Sequence, residues 1–289
     1  MSSKRLMSWQ GSQSRLKYTR TNTPQSGFRY AIAASSRYPF RVCGRFARRS
    51  TREVLADWFG VDQDDDMPFF APTFNAAPQS IQPVVRLNAA TGKREFALMR
   101  WGLVPFWARD EKPGLSTINA RAEEVVSKPA FREAIKKRRC LIPADAFYEW
   151  QRPGPGDDSK ARRPFAFALA SGEPYAFAGL WERWRPKEGP PLETFTILTT
   201  DPNEVTEKVH NRMPVILSPR DYDRWIDPGD PDRLPVDLLR PFDAEKMRAW
   251  PVSSRVGNVR NNDPELLEEC PHPGDPTGGN STPLLNFPD

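Results

Sequence analysis

The sequence predicts an α+β fold: a single domain with a mostly antiparallel, barrel-like sheet and short flanking helices. Three observations lead there. Short apolar runs recur from position 69 to position 217, punctuated by Pro, Gly and Asp, and such runs read as strands. Helical periodicity occurs only in brief stretches between them. Many short strands with helices interposed imply an α+β domain with a largely antiparallel sheet. No internal repeat and no Gly-rich phosphate loop is present.

The elements follow in order. The domain begins at Cys43. Ser50-Thr51-Arg52-Glu53 reads as a capping box, followed by Val54, Leu55 and Trp58 on one helix face and a stop at Gly60. Positions 62–66 form an acidic loop. Over 69–99, proline punctuates short strands such as those around Val84-Val85 and Phe96-Ala97-Leu98. Ser127 and Pro129 open a helix carrying Phe131, Ala134 and Ile135, which ends in the basic run 136–139. Strands are predicted over 140–143 and 146–150, then a hydrophilic hairpin tip over 151–163. Further strands cover 165–170, 175–180 and 194–200. Asp201 as cap and Pro202 in the first turn start a short helix with Val205 and Val209 on one face. A strand over 213–217 leads to a last helix, opened by Ser218-Pro219, with Tyr222 and Trp225. Residues 268–289, rich in Pro, Gly and Asn, are expected to be disordered.

The 289 residues carry 42 basic and 37 acidic side chains. Eight of the basic residues and no acidic ones lie in 1–42, while six acidic residues and no Lys or Arg lie in 263–289. The remaining 34 basic and 31 acidic residues leave the body at +3. Net charge alone therefore does not indicate nucleic acid; a local patch must. Cys43, Cys140 and Cys270 show neither metal-ligand nor disulfide spacing. With His210 and His272 as the only histidines, no metal site is expected, and no cofactor. No apolar run suits a membrane span or a secretory signal. A reducing cytoplasm is the expected compartment, and a monomer the expected state.

Residues 1–42 contain no acid and show no apolar periodicity. Val42 precedes Cys43, and a valine codon of the GTG type can start bacterial translation. The leading expectation is a mis-assigned start, with Cys43 exposed as the first residue of the mature chain. A disordered basic arm and a transit peptide are the alternatives.

Six segments hold the residues that could carry chemistry: Cys43-Gly44-Arg45-Phe46, Phe74-Asn75-Ala76-Ala77-Pro78, Ile118-Asn119-Ala120-Arg121-Ala122-Glu123, Phe147-Tyr148-Glu149-Trp150, Val209-His210-Asn211-Arg212-Met213-Pro214 and Val256-Gly257-Asn258-Val259-Arg260-Asn261. Trp101-Gly102-Leu103-Val104-Pro105 lies between the second and third. In this order they resemble the SRAP family, the SOS response-associated peptidase proteins that process abasic sites in single-stranded DNA. The resemblance spans residues 42–267. The departure is the extension ahead of Cys43, which bears directly on the nucleophile.

The resemblance implies a specific reaction. An abasic deoxyribose equilibrates with an open aldehyde. The α-amine of an N-terminal Cys43 attacks it, losing water to give an imine, and the adjacent thiol closes a thiazolidine. That is a stable DNA–protein crosslink, whereas an internal cysteine forms only a reversible thiohemiacetal. The amine must be neutral, and an α-amino group titrates at roughly 7.7–8.0. The family's other roles fall on Asn119, which would sense the abasic sugar, and Glu149, which would move protons. His210 would hold the open sugar and assist ring closure or reversal. Arg45, Arg121 and Arg212 would grip phosphates, with Asn75 also on the DNA-binding side. Phe106, Trp107 and Trp150 would stack on bases.

Each residue also has a plainer reading. A lone cysteine is usually a small buried hydrophobe, Glu149 could be an outward-facing strand residue, Asn119 a turn residue and Arg121 a surface ion pair. Cys140 reads as core, and Cys270 and His272 as inert tail residues. Two other functions compete: an autoprocessing cysteine peptidase with Cys43 as nucleophile, and a non-enzymatic nucleic-acid-binding module with an inert Cys43.

Overall fold

The computed structural model describes residues 44–153 and 161–271. Strand β1 (Arg45–Arg48) leads into helix α1 (Arg52–Phe59). Strands β2 (Thr73–Ala76), β3 (Ile81–Leu87), β4 (Arg94–Trp101) and β5 (Asn119–Arg121) follow. Helix α2 (Ala134–Lys137) precedes β6 (Arg139–Ala144), β7 (Ala146–Gln151), β8 (Arg163–Leu169), β9 (Tyr175–Trp184) and β10 (Leu192–Thr200). Strands β11 (Met213–Pro214) and β12 (Ile216–Leu217), helix α3 (Tyr222–Ile226) and strand β13 (Met247–Pro251) come last.

Two sheets result. The first has the order β13-β8-β7-β1-β2 and is antiparallel throughout. The second runs β11-β10-β4-β3-β6-β9-β12, and β9 also pairs with β10. Strands β10, β4, β3, β6 and β9 therefore close into a five-stranded ring, which removes free edges. Strand β10 makes the parallel contacts, to β4 and to β5. The α+β class with a mostly antiparallel, barrel-like sheet is the fold the chain adopts.

Two-residue alternation sorts the ring strands onto two faces. Val84, Ile142, Phe177 and Ile197 join Phe46, Phe147 and Phe167 in the core between the sheets. Their chain neighbours Val85, Leu141, Ala178 and Leu198 pack instead against Leu55 and Phe59 of α1, Ile135 of α2 and Trp225 of α3. A third cluster, Ala47, Tyr148 and Ala166 with Val252 and Val256, covers the far face of the first sheet. Each large apolar side chain buried this way stabilises the fold by about 1.5–3 kcal/mol.

Several elements differ from expectation. The first helix is capped by Thr51, whose Oγ1 accepts from the Val54 N–H at 3.4 Å, and ends at Gly60 with φ 62°. Ser50 is drawn away because buried Asp145 accepts both its N–H and its hydroxyl. The frame thereby shifts by one, burying Leu55, Ala56 and Phe59 and leaving Val54 exposed. Regular α-helix near 134 is a single turn, preceded by irregular turns. Arg139 leaves it for β6, because its buried guanidinium donates to the carbonyls of Ile135, Trp225 and Asp227 and so closes the ends of α2 and α3. Residues 204–209 form turns rather than a helix. Asn203, not Asp201, caps them, accepting from the Thr206 N–H at 3.0 Å. The strand over 213–217 breaks at Val215, so that β11 can pair with β10 and β12 with β9. Order continues beyond 267: the Cys270 N–H donates to the Pro251 carbonyl at 2.9 Å. Part of the hairpin tip, 154–160, lies outside the described residues, as do 1–43 and 272–289 and with them Cys43 and His272.

Candidate active site

Strand β7 is the spine of the site. Its register against β1 runs Ala47↔Ala146, Phe46↔Phe147 and Arg45↔Tyr148, so the ladder ends with Gly44 preceding Arg45 on one strand and Glu149 following Tyr148 on the other. Glu149 follows Phe147 by two residues and shares its face toward the inter-sheet core, where it is 3% exposed. A carboxylate so buried is not an outward-facing strand residue; without partners its burial would cost several kcal/mol. Tyr148 points the other way and donates to the Phe74 carbonyl at 2.9 Å. Burial raises its phenol well above the ordinary range.

The end of β7 reaches the histidine loop. Gln151 Nε2 donates to the Lys208 carbonyl at 2.9 Å. The His210 N–H in turn donates to Thr206, while Val205 and Val209 pack on the inter-sheet core. His210 is half-buried, and its Nδ1 lies 3.2 Å from the Arg212 N–H and 3.3 Å from the Arg212 carbonyl oxygen. Burial lowers the imidazole pKa below its ordinary 6.5; the backbone contact with Arg212 opposes this, and the positive charges of Arg152 and Arg162 add to it. The ring is therefore held neutral at pH 7, able to accept or donate a proton.

Asn119 opens β5, beside Ile197 of β10, and Arg121 stands beside Thr199. On the other side of β10, Thr199 pairs with Pro214, just past the histidine loop. One short stretch of β10 thus carries both the Asn119 strand and the end of the His210 segment.

The three expected phosphate-gripping arginines differ. Arg121 is exposed, its nearest carboxylate, Glu124, 3.8 Å away. Arg212 is buried and engaged. It forms a two-armed pair with Glu123 (Nη2 to Oε2 2.8 Å), reaches Asp201 at 3.0 Å and donates to the Thr199 carbonyl at 2.7 Å. Arg45 donates to Asn75 Oδ1 at 2.9 Å and to the carbonyls of Val256 and Gly257. Asn75, 5% exposed, donates to the carbonyls of Val256, Asn258 and Asn261. Arg45 and Asn75 thus lock the 256–261 segment onto β1 and β2.

The aromatic residues also divide. Phe106 and Trp107 are 54% and 55% exposed. The chain leading to them is rigid: Gly102 has φ 126°, and a Cβ there would lie 2.2 Å from the Gly114 carbonyl oxygen, so only glycine fits. Gln79 braces this turn from below, donating to the carbonyls of Trp101 and Gly114. Trp150 packs against the cluster of Val252 and Val256, half-buried. Cys140 is fully buried in the inter-sheet core, and burial raises its thiol above the usual range, as befits a core residue. A cavity of about 470 Å³, lined by Arg49, Asp145, Arg248 and Trp250, opens on the far face of the first sheet, away from Glu149. Among the described residues, no three His, Cys, Asp or Glu side chains cluster as metal ligands, and no helix is long and apolar enough to cross a membrane.

Glu123, Asp201, Gln151 and Gln79 were given no site role from the sequence, Asp201 being read as a helix cap. Glu123 had a signal: an acid inside the same short motif as Asn119 and Arg121.

The α+β frame thus carries buried Glu149 on β7, half-buried His210 after β10 and Asn119 at the head of β5. The family model described as SOS response associated peptidase (SRAP) matches residues 42–259, and the chain belongs to that family. It is 45% identical over 230 residues to the abasic site processing protein YoqW of Bacillus subtilis, covering 78% of this chain and 99% of that protein. It is 35% identical over 253 residues to the abasic site processing protein HMCES of Gallus gallus, covering 78% of this chain and 73% of that protein. A solved structure of a protein from Bacteroides thetaiotaomicron, 27% identical, superposes with a TM-score of 0.69 over 79% of this chain and 100% of that one.

Proposed function

We propose that this chain is an abasic site processing protein that binds single-stranded DNA and crosslinks to the lesion through Cys43 once that residue is N-terminal. The observation that carries the reading is the β1–β7 register: Arg45, two residues after Cys43, pairs with Tyr148, the chain neighbour of buried Glu149. Its similarity to two abasic site processing proteins supports the abasic-site part of this reading.

The chemistry balances without a cofactor. The neutral α-amine adds to the sugar aldehyde, and the carbinolamine loses water to leave an imine. The thiol sulfur then adds to the imine carbon while the imine nitrogen takes a proton. Glu149 is the group to relay protons in imine formation, and His210 the group to protonate the opened sugar oxygen and assist ring closure or reversal. Asn119 orients the sugar, Arg121 meets a phosphate, and Phe106 and Trp107 present stacking faces to the flanking bases.

The test compares three proteins: a chain beginning Met-Cys43, its Cys43→Ala variant and the 289-residue form. Each is mixed with single-stranded DNA bearing one abasic site and run on a denaturing gel. The expected result is a heat-stable shifted band only where Cys43 is the first residue. No band from any form would remove the crosslinking reading. A band from the full-length form, with its N-terminus read by mass, would show that processing exposes Cys43. If Cys43→Ala then blocked that processing, the peptidase reading would gain.

A further inference from the structure

We infer that Glu123 is a positioning residue for His210, acting through Arg212. This rests on the proton-transfer role proposed for His210. The geometry is a relay across one strand. Glu123 follows Arg121 of β5 and pairs two-armed with the Arg212 guanidinium. That guanidinium also donates to the Thr199 carbonyl of β10, directly beside Arg121 in the parallel ladder. The backbone of Arg212 then contacts His210 Nδ1 on both its N–H and its carbonyl side, at 3.2 and 3.3 Å.

Three features make this more than a surface ion pair. The Arg212 side chain is only 10% exposed, so its planar fork cannot swing away to solvent. The pairing is two-armed, which fixes orientation as well as distance. Arg212 also lies within a four-residue run from His210 to Met213, so clamping its side chain fixes the peptide groups the imidazole leans on. When Nδ1 accepts from the Arg212 N–H, the neutral ring carries its proton on Nε2; when Nδ1 donates to the Arg212 carbonyl, Nε2 is left as the acceptor. By fixing this peptide unit, Glu123 sets the balance between the two tautomers. Asp201, 78% exposed, is a subsidiary partner at 3.0 Å. The Arg212 contact holds the Glu123 carboxyl below its ordinary range, so the clamp stays charged at neutral pH. Charges facing the ring from the neighbouring elements are Arg152 and Arg162 at the β7–β8 hairpin, and neither depends on Glu123.

His210 and His272 are the only histidines, so imidazole signals in an untagged protein are few. The experiment records ¹⁵N imidazole shifts and the pH titration of His210 in the 289-residue chain, Glu123→Ala, Glu123→Gln and Asp201→Asn, with crosslinking rates measured on the same substitutions in the chain beginning Met-Cys43. Glu123→Ala is expected to shift the His210 tautomer signals and its titration midpoint, and to slow crosslinking about tenfold through misplacement of the ring. Glu123→Gln, which keeps one acceptor oxygen, is expected to restore part of both, and Asp201→Asn to move neither by much. Unchanged His210 signals in Glu123→Ala would overturn the inference, even with weakened DNA binding, because the carboxylate would then serve only Arg212. If the chain beginning Met-Cys43 forms no crosslink, the functional reading fails, and the imidazole spectra still decide this one.

Discussion

The Arg45–Asn75 corner and the exposed set of Phe106, Trp107 and Arg121 each hold an arginine expected to meet DNA, and they end in opposite states. At the corner every identified donor of Arg45 and Asn75 meets an acceptor within the protein, and the 256–261 segment is held by those bonds. In the exposed set two large rings stand more than half in solvent, and a guanidinium has a carboxylate no nearer than 3.8 Å. Polar and aromatic residues in short motifs thus do two jobs. Some build the frame and some face outward, and burial separates them where residue type does not.

Mutations at the two places should separate stability from binding. Asn75→Ala should have the largest effect, about 3 kcal/mol of destabilisation in urea denaturation. It removes the acceptor for a charged donor and leaves buried carbonyls unpaired, at about 1 kcal/mol or more apiece. A loss under about 1 kcal/mol would mean that the corner is not the frame it resembles.

Trp107→Ala should leave the denaturation midpoint nearly unchanged while weakening single-stranded DNA binding by about 1–3 kcal/mol, the size of one base stack on an aromatic ring. Equal affinity in a fluorescence titration would show that this ring does not meet DNA. Arg121→Ala comes next. Its stability should stay within about 0.5 kcal/mol, and the slope of log affinity against log salt should shrink by about 0.7, the share of a single neutralised phosphate. An unaltered slope would remove Arg121 from the interface.

His210 gives the smallest effect, read as stability against pH. The fold lowers its pKa below 6.5, so the neutral ring is the favoured folded form. Its contribution is fully present above pH 6.5 and is lost as pH falls below that value, where the unfolded chain binds more protons. His210→Gln should flatten that acid-side decline. A decline of unchanged steepness would assign it to other groups.

Of the fold, the strands and their approximate limits were legible, because period-two alternation and Pro/Gly punctuation are local signals. Helix frames were less so. Thr51 rather than Ser50 caps the first helix because Asp145, 95 residues away, takes Ser50. At the helix expected from 201, Asn203 caps a run of turns, while Asp201 accepts from Arg212, 11 residues on. Of the site, the motif residues were legible as a set, yet their division into frame and exposed groups was not. Arg45, Arg121 and Arg212 look alike in sequence and end respectively locked, open and clamped.

The sequence by itself determined the class of fold, the order of the motifs and the chemistry available at Cys43, Asn119, Glu149 and His210, since these depend on residue identity and local pattern. Tertiary structure alone decided that Glu149 is buried one residue past the Arg45↔Tyr148 pair, that the His210 imidazole leans on the Arg212 backbone, and that Arg45 serves the frame. Those outcomes arise from strand register and from bonds between residues as far as 212 positions apart. Such pairings are chosen by how whole sheets pack, because each buried polar group must find a partner wherever the completed fold places one.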